Sequence, residues 1–118
     1  MKLLIVGSRS ITEFDLTPFV PDDIDLIISG GAAGVDTVAE KYADTNRLSK
    51  LILRPQYKKY ARAAPILRNE VMVDMADAVL VIWDGVSKGT RATIRYALKQ
   101  GKPVTVVGRD GTPWEGTV

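Results

Sequence analysis

The sequence predicts one α/β domain spanning residues 1–118, a doubly wound five-stranded parallel sheet flanked by helices. Three observations carry that prediction. Five short apolar runs, at residues 3–6, 25–28, 51–53, 78–83 and 104–107, are rich in Val, Ile and Leu and lack polar alternation. Strands buried on both faces of a parallel sheet read this way. Helical spacing separates most of the runs, and three of them end in glycine-bearing turns.

The first run leads into Gly7-Ser8-Arg9, and the crossover that follows, residues 11–20, is broken by Pro18 and predicts only a short helix. After the second run comes Ser29-Gly30-Gly31-Ala32-Ala33-Gly34-Val35-Asp36. From Val35 the apolar positions Val38, Ala39, Tyr42 and Ala43 recur at helical spacing, with Glu40 and Lys41 facing away. Past the third run, Pro65 suits a first helical turn, and Leu67, Val71, Met72, Met75 and Ala76 follow as its apolar residues. The fourth run ends in Asp84-Gly85-Val86-Ser87-Lys88-Gly89-Thr90. A helix then runs from Thr90 through Ile94, Ala97 and Leu98 to Gly101, with Pro103 beyond as a stop. The tail, residues 108–118, is turn-like, and Trp114 is expected to pack on the domain or on a neighbouring subunit. Strand order 3-2-1-4-5 is expected, which sets the topological switch point beside Gly7 and the 85–89 turn.

Composition narrows the chemistry. A chain of 118 residues with 46% hydrophobic and 25% charged residues can bury a core without disulfides or metal. It holds no Cys and no His, which excludes a structural zinc site, imidazole acid–base catalysis, a thiol nucleophile and a Ser-His-Asp triad. No metal site and no cofactor are expected. The absence of Cys, of a membrane-length apolar run and of a signal peptide predicts a cytoplasmic protein without membrane partners. Net charge is +2, too mild to argue for nucleic acid. Arg54, Lys58, Lys59, Arg62 and Arg68 do cluster, as a solvated face or as an anion-binding rim.

In an open α/β sheet, ligands bind beyond the carboxyl ends of the strands, where loops converge. Glycine lets backbone N–H groups approach a phosphate, and the following helix start favours negative charge. Three such turns in one domain point to a phosphorylated small molecule. Neither G-x-G-x-x-G nor G-x-x-x-x-G-K-[ST] is present, which disfavours a generic dinucleotide enzyme or P-loop NTPase.

Taken in order, Gly7-Ser8-Arg9, Ser29 to Asp36, Arg68-Asn69-x-x-Met72, Ala76-Asp77 and Gly89-Thr90 resemble the SLOG superfamily. That group includes DprA, the LOG-type phosphoribohydrolases and the molybdenum-cofactor carrier proteins. The similarity is greatest to small stand-alone members with a G-S-R start and an R-N-x-x-M helix. It covers roughly residues 2–107 and implies a Rossmann-like fold holding a nucleotide or nucleotide derivative, such as an ADP-ribose-like molecule. By that resemblance Gly7, Ser8 and Arg9 lie against the ligand, and Gly30, Gly31 and Gly34 form a second wall. Gly89 and Thr90 give the phosphate-facing helix start, and Arg68 stands where LOG-type enzymes carry a functional arginine. Asn69 is a second contact or a surface residue. Relatives are commonly dimers or higher, so a homo-oligomer is expected.

The hydrolytic pattern P-G-G-x-G-T-x-x-E, aligned on Gly89-Thr90, puts Thr93 at the glutamate position. Threonine cannot activate water as a carboxylate does. The carboxylates left for catalysis are Asp36 and Asp84, with Arg68 as a phosphate partner. Asp36 reads equally well as a first-turn helix residue. Asp84 can meet a ribose hydroxyl, act as an acid or order its turn. Tyr57 and Tyr60 can stack on a base or serve packing. The leading expectation is therefore binding of a nucleotide-like molecule by a sensor, carrier or partner module. N-glycosidic or phosphoribosyl hydrolysis stands second, and DprA-like single-strand binding last, because few aromatics line the basic segment.

Overall fold

A computed structural model describes all residues, Met1–Val118. Its sheet comprises β1 (Lys2–Gly7), β2 (Leu26–Ser29), β3 (Ser49–Ile52), β4 (Ala78–Ile82) and β5 (Val104–Val107), all parallel, in the order β3-β2-β1-β4-β5. The fold class and strand order are those expected from the sequence. The helices are α1 (Val35–Thr45), α2 (Tyr57–Tyr60), α3 (Ala64–Met75) and α4 (Lys88–Lys99), and a 3-10 turn at Ala61–Ala63 joins α2 to α3.

Alternation along the central strand divides the core. Leu3 and Ile5 of β1 pack with Ile27, Leu80, Ile82 and α1 residues Val35, Ala39 and Ala43 on one face. Leu4 and Val6 pack on the other with Met72 and Val73 of α3 and Ile94 and Ala97 of α4. Both faces are buried, which explains why β1 and β4 read as unbroken apolar runs.

Three local expectations differ from the structure. Residues 11–20 contain no helix. Asp15 Oδ1 accepts the Thr17 N–H at 3.0 Å, and the Leu16 carbonyl takes the N–H groups of Phe19 and Val20, so turns replace helical bonds around Pro18. Ile11 and Leu16 are nonetheless buried, so the segment covers its face with side chains alone. In α3 it is Val73, not Val71, that faces the core; Val71 is exposed. Strand β3 begins at Ser49, two polar residues before its apolar run, because it lies at the sheet edge where such residues meet water.

The tail folds back on the domain. Trp114 N–H bonds to the Val106 carbonyl, and its ring lies 4.7 Å from that of Trp83, centroid to centroid.

Candidate functional site

The switch point between β1 and β4 opens into a cleft of about 480 Å³. Gly7 and Ile82 pair there, at the last register position of the two strands. Of the residues expected at a ligand, Gly7, Arg9, Asp36, Arg68, Asn69, Asp84, Gly89 and Thr90 line this cleft. Ser8, Gly30, Gly31 and Gly34 do not line it; they build the wall behind it.

Ser8 is a knot between loops. It is 1% exposed, and its backbone N–H bonds to the Ile82 carbonyl at 3.0 Å. Its Oγ accepts the Asp84 N–H at 2.9 Å, and its carbonyl accepts N–H groups from Ile11 and Val35. The β1 loop is thereby tied to both the β4 loop and the start of α1. Gly34 makes that junction sterically feasible. Its φ is +79°, and a Cβ there would lie 2.5 Å from backbone atoms of Ser8 and Arg9.

The second wall is clamped by arginines. Arg68, half-buried on α3, donates from Nη1 to the Gly30 carbonyl at 2.6 Å and the Leu53 carbonyl at 3.1 Å. Its Nε donates to Asn69 Oδ1 at 2.7 Å, while Nη2 has no partner in the chain. Arg54 donates to the Gly31 carbonyl at 3.0 Å. A positive charge early in α3 opposes the helix dipole, and these carbonyls supply the compensation. Burial lowers the guanidinium's pKa, and neighbouring Asp36 opposes that shift. Gly30 leaves room for both groups, since a Cβ there would lie 2.7 Å from Arg68 Nη1 and 2.9 Å from Asp36 Oδ2.

Asp36, in the first turn of α1, is only 6% exposed. Its Oδ2 accepts the Ala32 N–H at 3.1 Å, closing the glycine turn, and Oδ1 accepts nothing within the chain. Burial raises its carboxyl to about 6, against the lowering influence of the Ala32 N–H and Arg68. Asp84 behaves in the opposite way. Its Oδ1 accepts N–H groups from Val86 at 2.9 Å and Ser87 at 2.8 Å, and its Oδ2 accepts the hydroxyl of Ser10 at 3.2 Å. Desolvation pushes its pKa up, but these donors outweigh it and hold the carboxyl well below the usual carboxylate range. Of the roles open to Asp84, ordering its turn is the one these bonds perform.

That turn delivers α4 to the cleft. The first N–H of the 88–99 helix to find a backbone acceptor is that of Arg91, which bonds to the Ser87 carbonyl; those of Lys88, Gly89 and Thr90 have none. The side chain of Ser87 bonds to Asp84 instead of capping the helix. Thr90 is 8% exposed, lines the cleft, and its hydroxyl has no partner in the chain. Thr93 also lines the cleft, but its hydroxyl donates to the Gly89 carbonyl at 3.0 Å. Behind the loop, Trp83 Nε1 donates to the Ser87 carbonyl at 3.1 Å, and Trp114 packs against Gly85.

Sequence reasoning missed Ser10 and Ser87 as cleft residues. Ser10 follows a recognised turn and Ser87 lies within one, but serine is too common in turns for its side-chain direction to be read. Arg109, outside the cleft lining, crosses from the β5 end to donate to Ser10 Oγ at 3.0 Å. A second cavity of about 320 Å³ lies on the other side of Arg68, lined by Leu53, Leu67, Val71 and Tyr60 among others.

Over 89 residues the chain is 34% identical to the Gene 61 protein of Mycobacterium phage D29, covering 70% of this chain and 71% of that one. The chain belongs to the family of that phage protein. No protein-family model matches it, and no solved structure matches it. No helix is long and apolar enough to cross a membrane.

Proposed function

We propose that this Gene 61-family protein binds a nucleotide or nucleotide-derived small molecule, as a sensor, carrier or partner module. The observation that carries the reading is the start of α4. Three backbone N–H groups and the nearly buried hydroxyl of Thr90 converge there without acceptors of their own. A phosphate satisfies all of these donors, and the helix dipole favours its charge. Arg9, exposed and without a hydrogen-bonded partner, and Arg68 Nη2 add positive charge on the far side of the same cleft. The apolar cavity beyond Arg68, with Tyr60 on its wall, offers a surface of the kind a base needs. Resemblance to the SLOG superfamily supports the same ligand class. A thermal-shift panel of nucleotides, ADP-ribose, sugar phosphates and inorganic phosphate tests the reading. A ligand at 100 times its Kd adds about 2.7 kcal/mol, a clear rise in melting temperature. No response across the panel would refute it.

A second reading, hydrolysis of an N-glycosidic or phosphoribosyl bond, is favoured by one observation. Asp36 is a buried carboxyl of raised pKa within the cleft, the kind of group that acid–base chemistry uses. Single-strand binding draws less support. Arg54 and Arg68, which bound the basic segment, spend donors on the carbonyls of Gly31, Gly30 and Leu53.

A further inference from the structure

We infer that Asp36 is the specificity-determining residue of the cleft, and that its free Oδ1 accepts a hydrogen bond from a ribose hydroxyl of the bound ligand. This rests on the nucleotide reading above and names the part of the ligand that meets the second wall.

Asp36 has two oxygens in different situations. Oδ2 has a structural duty, the Ala32 N–H, and an asparagine oxygen would perform it equally well. Oδ1 has no such duty, and the residue forms part of the cleft wall. Arg68 stands near it and favours its charged form, but makes no ion pair with it; the ion pairs of the protein are Met1 with Asp25 and Lys50 with Asp44. Arg68 instead gives its Nη1 to the carbonyls of Gly30 and Leu53. Burying a carboxylate that a neutral side chain could replace opposes folding, as its raised pKa reflects. Such a group is retained where an acceptor of full negative charge is useful, and it selects for a donor.

The nature of the donor follows from the lining. Of 14 lining residues only two are hydrophobic, and Ser10, Asn69, Ser87, Thr90 and Thr93 present small polar side chains. A flat ring carrying an amino group would find little apolar surface to stack on there. A sugar, polar on every side, fits that lining. Asp84 cannot take the role, because both its oxygens are already occupied by Val86, Ser87 and Ser10.

Calorimetry on the full chain with AMP, 2′,3′-dideoxy-AMP and inorganic phosphate decides the matter. Wild type is expected to prefer AMP to the dideoxy compound by about tenfold or more, the scale of a hydrogen bond to a charged group. In Asp36→Asn that ratio is expected to fall below about threefold, while inorganic phosphate binds more tightly because a nearby negative charge is gone. Opposite signs for the two ligands separate a sugar contact from a general loosening of the site. Equal wild-type affinity for AMP and its dideoxy analogue would overturn the inference and leave the nucleotide reading standing. So would a hydroxyl preference that survives Asp36→Asn. Failure of all three compounds to bind would overturn both. The comparison of AMP with its analogue needs only wild type, so the inference stays falsifiable even if Asp36→Asn does not fold.

Discussion

Arg68 reaches from α3 to the Gly30 carbonyl, 2.6 Å away at the end of β2, and the same nitrogen holds the Leu53 carbonyl beyond β3. One side chain thus closes the second wall of the cleft and presents its remaining nitrogen to the interior. Wall and cleft lining share one side chain.

Arg68→Ala is therefore expected to destabilise the fold as well as weaken phosphate-bearing ligands. Two carbonyls lose a charge-assisted donor in a half-buried setting, worth on the order of 1.5–3 kcal/mol. Chemical denaturation and calorimetry should both register the loss. Unchanged stability would show that water replaces the clamp, and unchanged affinity would remove Arg68 from the binding surface.

Asp36 sets a pH dependence of stability. Its carboxyl is raised from 3.8 to about 6, so the folded state holds this proton more tightly than the unfolded chain does. The associated stability is full below about pH 4, is lost as pH rises to about 6, and is absent above. At pH 8 Asp36→Asn should accordingly be more stable than wild type by up to about 3 kcal/mol, and the gap should close in acid. Melting curves of the two proteins between pH 4 and pH 8 that run parallel would contradict this (both pH limits are chosen to bracket the shift, roughly two units wide).

Thr90→Val keeps the shape of a residue whose hydroxyl has no partner within the chain. Stability should change by less than about 1 kcal/mol, whereas affinity for inorganic phosphate should fall by roughly 5- to 10-fold. A variant that binds phosphate as wild type does would remove the hydroxyl from the anion site.

Two glycines should behave oppositely. Gly34→Ala forces a side chain into backbone atoms of Ser8 and Arg9 at positive φ, costing on the order of 3 kcal/mol or more. Around Gly89 a Cβ would meet nothing within 4 Å, so Gly89→Ala should raise the melting temperature by the equivalent of about 0.4–1 kcal/mol. Comparable destabilisation by both would show that the turns tolerate a side chain equally poorly.

Release of free base from nucleoside monophosphates is expected to be negligible. On the proposed resemblance Thr93 stands where the hydrolytic pattern has its glutamate, and its hydroxyl is bonded to the Gly89 carbonyl. Chromatography of incubated nucleotides is the direct assay. Robust turnover that disappears in Asp36→Asn would replace the binding-only reading with the hydrolytic one.

The sequence by itself determined the sheet and its order. Val, Ile and Leu runs of strand length, separated by helical spacing and punctuated by glycine, satisfy both faces of a parallel sheet in few other ways. It also marked the turns, because a glycine at a strand end is a backbone requirement written in one letter. Tertiary structure decided what each turn residue does. Ser8 and Asp84 read as ligand contacts, yet Ser8 Oγ is spent on the β4 loop, and the Asp84 carboxylate on its own turn and on Ser10. Asp36 and Thr90 are types that also serve at ordinary helix starts, yet each keeps a polar atom unpaired within the chain. Whether a hydroxyl or carboxylate serves the fold or a ligand depends on which groups long-range packing brings within 3 Å of it, roughly one hydrogen bond's reach. Local pattern holds no record of that distance.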